Sequence, residues 1–185
     1  MRLDDLLVER GFAESRSRAQ GLILSGSVRV GDRVVTKAGS RIGADELLSV
    51  KGAERFVSRA GEKLDGAIET FGLRVKGRSC IDAGASTGGF TDALLKRGAQ
   101  RVLAVDVGYG QLDWSLRNDP RVGVMERTNV RRLTGRDLPF DPDLLVADLS
   151  FISLKVALAN LFSTTPSLGE AILLVKPQFE AARIR

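Results

Sequence analysis

The stretch Cys80-Ile81-Asp82-Ala83-Gly84-Ala85-Ser86-Thr87-Gly88-Gly89-Phe90 constrains the fold more than any other part of the sequence. An apolar run enters a glycine-rich turn, and a helical pattern follows. Such a strand–turn–helix unit belongs to α/β architecture. It brings a ligand's polar groups against bare backbone at a helix N-terminus. The pattern, Asp-x-Gly-x-x-x-Gly-Gly, departs from the dinucleotide fingerprint, because Ser86 stands where that fingerprint has its second glycine. Asp82, at the strand tip, would repel a pyrophosphate. It would suit a cationic group such as the ammonium of S-adenosylmethionine (SAM). The same residues also fit an ordinary βα turn. Read as a SAM site, the motif supplies Asp82, Gly84, Ser86, Gly88, Gly89 and Phe90 as cofactor-binding candidates.

The alternation continues through the larger part of the chain. From Ser58, which can cap a helix carrying Leu64, Ala67, Ile68 and Phe71, the pattern predicts strands at 79–83, 101–106, 122–125, 144–148 and 171–176. Helices fill the gaps, including one over 90–97 that Gly98 stops. Near-continuous apolar strands separated by helices predict a buried parallel sheet. By analogy with doubly wound, Rossmann-like sheets, its strand order is expected to be 3-2-1-4-5. Ligands of such sheets bind beyond the carboxyl ends of the strands, where Asp82, Asp106, Asp148 and Lys176 all fall. Asp106, about 20 residues after Gly84, stands where an acid commonly accepts hydrogen bonds from a ribose. It could instead cap a following turn. Asn129, after the third strand, is a candidate for the adenine edge. Lys176 follows five apolar residues, a costly place for a charge unless it is paired or functional. Pro177 holds Lys176 in an extended backbone. A salt bridge between Asp148 and Lys176 on neighbouring strand ends is compatible with either role.

Residues 1–52 read as a separate small α/β module, followed by a connecting segment at 53–58 and the larger domain at 59–185. Leu3, Leu6 and Leu7 share one face of a short helix that Gly11 ends. Ser15 can cap a second helix, with Ala19, Leu22 and Ile23 at core spacing. Residues 27–35 form a hairpin pattern with Gly31-Asp32 as its turn, and Leu47, Leu48 and Val50 a last short strand. Lys and Arg outnumber Asp and Glu by 28 to 23 in the whole chain, and by 11 to 8 within residues 1–60, so charge density is higher in the module. A basic balance favours an acidic partner, usually nucleic acid. Arg16 and Arg18 occupy the first turn of the second helix, where the dipole prefers acids. They make sense there if phosphates approach, and equally as two solvated arginines.

The absence of histidine excludes serine–histidine triads and histidine metal sites, and the single cysteine excludes a disulfide within one chain. The start of the chain lacks an apolar signal segment, and Asp148 and Lys155 interrupt the longest apolar region, so a cytoplasmic protein without a membrane span is expected.

The module's Arg2-Leu3-Asp4, Ser15-Arg16-Ser17-Arg18-Ala19, Ile23, Gly26 and Val28-Arg29-Val30-Gly31 resemble the S-four-type (alpha-L) RNA-binding domain. In that family the helix that starts at the Ser-Arg pair faces structured RNA. The resemblance implies Arg2, Arg16, Arg18 and Gln20 as RNA contacts. Ser58-Arg59-Ala60-Gly61-Glu62-Lys63-Leu64, Leu145-Val146-Ala147-Asp148 and Leu174-Val175-Lys176-Pro177-Gln178-Phe179-Glu180 resemble the FtsJ-like ribose 2′-O-methyltransferases, whose catalytic set is Lys-Asp-Lys-Glu. Lys63, Asp148 and Lys176 match the first three. The order of the two parts resembles the haemolysin A (TlyA) family, which implies a SAM-dependent methyltransferase acting on ribosomal RNA or ribosomal subunits, with no metal required. A lysine can serve as base for a ribose hydroxyl when burial or a neighbouring cation favours its neutral form. Lys176 is expected in that part, Lys63 as neighbouring cation and RNA anchor, and Asp148 as the group that orients them. The family's glutamate belongs to a later Gly-Asn-x-Glu-Phe segment that residues 1–185 do not contain, and Glu180 does not replace it. The sequence is therefore expected to be a fragment or a truncated product with low activity. An RNA-binding protein with a non-catalytic SAM-binding scaffold is the alternative. Membrane lysis is suggested only by the family's name.

Overall fold

The computed structural model describes residues 1–43, 45–51 and 55–181. These fall into two compact units, Met1–Arg55 and Phe56–Arg185. Residues 53 and 54 of the expected connecting segment lie outside the described residues. Phe56, in the same segment, is buried within the core of the second unit.

In the first unit, α1 (Leu3–Glu9) and α2 (Arg16–Leu24) pack on a small antiparallel sheet of β1 (Val28–Val30), β2 (Arg33–Val34) and β3 (Leu48–Val50), in the order β2-β1-β3. Ser15 caps α2 as expected, its hydroxyl accepting from the Arg18 amide at 3.2 Å. Leu3, Leu7, Ala19, Ile23, Val28 and Val30 make the core. Their spacing is three to four in the helices and two in β1, which is how one apolar face is collected from each element.

The second unit begins with α3 (Ala60–Thr70) and then alternates: β4 (Ser79–Ala83), α4 (Gly89–Lys96), β5 (Arg101–Val105), α5 (Trp114–Arg117), β6 (Val122–Met125), β7 (Leu144–Ala147), α6 (Leu154–Thr164), β8 (Glu170–Leu173) and α7 (Pro177–Glu180). The five strands β4–β8 are parallel in the order β6-β5-β4-β7-β8, the expected 3-2-1-4-5 arrangement. Side chains alternate across the sheet. Cys80, Val102, Ala104, Leu144 and Val146 face the cluster that includes α3 and α4, and Ile81, Leu103, Val105, Leu145 and Ala147 face α6. Cys80 is fully buried at the middle of this sheet, and desolvation pushes its thiol up to about 12.

Two expected helix details differ. Ser58 does not cap α3, whose N-terminal flanking residue is Arg59 in a helical conformation without a side-chain cap. Phe71, expected on the buried face, is instead the exposed C-cap residue, one position past the helix. The last strand ends at Leu173, so Lys176 stands beyond the sheet as the N-cap of α7 with extended backbone, in keeping with the proline after it.

Candidate active site

The strand ends gather the site. Beyond β4, β5 and β7 lies a cavity of about 560 Å³ whose wall includes Gly84, Ser86, Asp106, Asn129, Asp148 and Phe151. A smaller space of about 250 Å³ is lined by Ser58, Ala60, Phe90 and Lys176, and shares Gly84, Ser86, Asp148 and Ser150 with the first. Asp148 and Ser150 thus stand where the two spaces meet.

Asp106 closes the turn around the glycine motif. Its two carboxylate oxygens each accept one backbone N–H, from Ser86 at 2.8 Å and Gly108 at 2.7 Å. Each oxygen keeps acceptor capacity for a hydroxyl. Asn129 caps a single 3-10 turn at 130–132, its Oδ1 accepting from the Arg131 amide at 3.1 Å. Lys176 Nζ lies 2.6 Å from Asp148 Oδ1 and donates to Ser150 Oγ at 2.7 Å, so the salt bridge anticipated from the strand ends forms. Lys63 stands apart, in a groove of its own with Arg59 and Glu62; Ser58 and Ala60 line both that groove and the smaller space.

Three cofactor candidates do not reach either space. The alternation of β4 turns Asp82 toward α4, where it is 1% exposed and accepts from Thr91 Oγ1 at 2.7 Å. Burial pushes its carboxyl up to about 7. A group so enclosed does not meet a cofactor's ammonium, and Asp82 is corrected from ligand contact to core residue. Gly88 caps α4 at φ +96°; a Cβ there would stand 2.3 Å from Leu116 Cδ1. At Gly89 a Cβ would stand 2.9 Å from the Gly61 amide nitrogen, and at Gly61 one would stand 2.8 Å from the Gly89 carbonyl. Gly61 and Gly89 let α3 and α4 approach each other, and Gly88 leaves room for Leu112 and Leu116; none of the three lines either space. Gly84 does line the cavity, but its φ of +84° and the Asp148 carbonyl, 2.7 Å from where a Cβ would be, already require glycine there.

In the first unit, three of the four expected RNA contacts are organised by a carboxylate. Asp4 is fully buried. Its Oδ1 accepts from Arg2 Nε at 2.9 Å, and its Oδ2 from Arg2 Nη2 at 2.9 Å, Arg16 Nε at 3.0 Å and Gln20 Nε2 at 3.0 Å. The Arg2 hydrogen bonds, with those of Gln20 and Arg16 against the cost of burial, hold its carboxyl well below the usual carboxylate range. Arg2, Arg16 and Gln20, the expected RNA contacts, are thus held in fixed directions by one carboxylate. Arg2 and Arg16 keep about half of their side-chain surface in solvent, and Arg18 is exposed.

Gln111, Thr128, Ser150 and Phe151 line the cavity without having been singled out in the sequence. Ser150 and Phe151 were within reach of the strand-end rule, since they follow Asp148 directly. Gln111 and Thr128 carry no such signal.

A parallel sheet with a nucleoside-sized cavity at its carboxyl edge, an acid beyond its second strand and a lysine–aspartate pair at the mouth is the frame of a nucleoside-cofactor enzyme. Residues 56–185 match the FtsJ-like methyltransferase family and residues 1–48 the S4 domain, and the chain belongs to the FtsJ-like methyltransferase family. It is 51% identical over 184 residues to the 16S/23S rRNA (cytidine-2'-O)-methyltransferase TlyA of Mycobacterium tuberculosis, across 98% of this chain and 69% of that protein. It is 44% identical over 184 residues to Hemolysin A of Brachyspira hyodysenteriae, across 99% of this chain and 77% of that one. A solved structure from Streptococcus thermophilus, provisionally named a hemolysin, shares 42% identity at a TM-score of 0.68, covering 99% of this chain and 68% of the other. Among the described residues, no helix is long and apolar enough to cross a membrane.

Proposed function

We propose that the protein transfers a methyl group from SAM to a ribose 2′-hydroxyl of ribosomal RNA. The observation that carries this reading is the Lys176–Asp148 pair, 2.6 Å apart, at the meeting of a nucleoside-sized cavity and a second space that opens beside it. The residues present fit the cofactor. Asp106 has acceptor capacity left for a ribose diol. Val107, Val130, Leu149 and Ile152 offer apolar walls to a flat base, and the Asn129 amide group can donate to its edge. When bound, SAM supplies an electrophilic methyl on a sulfonium.

The chain's own residues then do three things. Asp148 and Ser150 fix Lys176 Nζ at the mouth of the cavity. The 2′-hydroxyl proton passes to Lys176 Nζ as the oxygen attacks, and Asp148 stabilises the ammonium that results. Lys63, in the adjoining groove, offers a cation to the RNA backbone. Holding hydroxyl and methyl in line supplies much of the acceleration. Arg16, Arg18 and Arg2 deliver RNA affinity from the first unit. The names of the relatives support rRNA as the substrate, and that substrate implies a cytoplasmic protein.

Transfer of labelled methyl from SAM to rRNA, with the product mapped as 2′-O-methylribose, tests the reading. Label on a base, or SAM and RNA binding without any transfer in a chain extended to carry the glutamate segment, overturns it; the second outcome supports the non-catalytic scaffold.

A further inference from the structure

The mechanism leaves one acidic group of the Lys-Pro-Gln-Phe-Glu motif unused. Glu180 is turned away from both spaces. Its Oε1 accepts the Leu154 amide at 2.6 Å and its Oε2 the Ser153 hydroxyl at 2.8 Å. Helix α6 has no side-chain cap from its own N-cap residue, Ser153, so Glu180 supplies the missing acceptor from another segment. These hydrogen bonds, that to the Leu154 amide foremost, hold the Glu180 carboxyl below its usual range.

The contact is one of three, in parallel order, between two segments. Lys176 meets Asp148 and Ser150; Phe179 meets Phe151, with ring centroids 5.3 Å apart; Glu180 meets Ser153 and Leu154. The first segment needs such support. Phe151 has a positive φ of +67° and is 90% exposed, so neither backbone preference nor burial holds the loop after β7. Lys176 is likewise outside its strand, three residues past Leu173.

We propose that Glu180 is a positioning residue: by capping α6 it clamps the 176–180 segment to the 148–154 loop and so sets the Lys176–Asp148 geometry. This rests on the methyl-transfer reading for its consequence in rate, but not for the clamp itself. The electrostatics suit the task. A carboxylate at a helix N-terminus is favoured by both the orphan N–H groups and the dipole.

Two measurements on the full chain test the clamp. In the first, the Lys176 Cε resonance of 13C-lysine-labelled protein is assigned by its loss in Lys176→Arg. Glu180→Ala should move it toward the position of solvent-exposed lysines, and Glu180→Gln, which retains a carbonyl acceptor for the Leu154 amide, should leave it near its wild-type place. Ser153→Ala, removing one of the two hydrogen bonds, should give an intermediate displacement, and serves if Glu180→Ala does not fold. In the second, Glu180→Ala should lower kcat by about ten- to a hundredfold, with KM for SAM changed by less than about twofold, and Glu180→Gln should recover most of the loss. An unmoved Lys176 resonance in folded Glu180→Ala and Ser153→Ala overturns the clamp. So does a Glu180→Gln enzyme as inactive as Glu180→Ala, which would mark the charge itself as the functional property. A displaced resonance in a protein that transfers no methyl defeats the proposed function and leaves the clamp standing.

Discussion

Asp4 and Asp148 are both held by cations, and they differ in how much of their capacity is spent. Asp4, in the small unit, is fully enclosed and takes hydrogen bonds from two arginines and a glutamine. Asp148, at the end of β7, faces one lysine and keeps a fifth of its side chain in solvent on the wall of two spaces. The first carboxylate is saturated and fixes the directions of the side chains around it. The second is open, and its lysine is left where a further group can approach. Saturation marks the organising carboxylate, and openness is what the proposed chemistry asks of the other.

Four variants, the last of them double, would break or sharpen that contrast. Lys176→Arg keeps the cation on Asp148 but cannot act as a base at neutral pH, so methyl transfer should fall by about 10²-fold or more while SAM affinity persists in calorimetry. An active Lys176→Arg enzyme would make the open carboxylate an anchor like the closed one. Asp4→Ala should cost the first unit about 2 kcal/mol in denaturant unfolding, since it strands donors on three side chains, two of which, Arg2 and Arg16, water can still reach. The wild-type contribution of Asp4 is present at pH values above about 4, where the unfolded carboxyl ionises, and is lost as acid protonates the folded one. If Asp4→Ala is as stable as wild type, saturation does not organise the unit.

Asp82→Asn probes a third carboxylate, buried and hydrogen-bonded by Thr91 alone among the partners that lower its pKa. Its folded pKa, about 7, is raised, so between about pH 4 and pH 7 the folded state holds a proton that the unfolded state releases, and stability falls with rising pH. The asparagine should flatten that slope and unfold at slightly higher denaturant at neutral pH. An unaltered slope would mean Asp82 is ionised in the folded protein. The smallest effect is expected from Arg16→Ala with Arg18→Ala. Binding to rRNA should weaken several-fold, with the logarithmic salt slope reduced by roughly 0.9 for each phosphate that is no longer neutralised. An unchanged slope would assign both arginines to structure.

The fold was legible because its signals are periodic. Five apolar runs and the helices between them announced a parallel sheet, the analogy with doubly wound sheets supplied its strand order, and Ser15 announced the start of α2. The site was legible only where chemistry and position coincide, as for Asp106, Asp148 and Lys176 beyond their strands. Asp82 misleads because sequence places a residue at a strand's end without saying which face it turns to; its neighbours Ile81 and Ala83 face α6, and Asp82 faces α4. Gly88 and Gly89 mislead because glycine serves close packing and ligand approach alike. The Asp4 hub joins residues 2, 4, 16 and 20 through tertiary contact, which no local pattern carries. Glu180 carried no positional signal either, and its two oxygens turn out to be spent on Ser153 and Leu154.

The lone sulfur among the cysteines of the chain has a practical consequence. Cys80 lies at the middle of the five-stranded sheet, fully enclosed and with its thiol pushed up to about 12, so neither oxidants nor alkylating reagents find a thiolate in the closed protein. Alkylation therefore waits for the sheet to open. The rate at which a thiol reagent consumes this one group is a clock for that opening, built into the protein without engineering, and a ligand seated at the strand ends should slow it in proportion to its affinity.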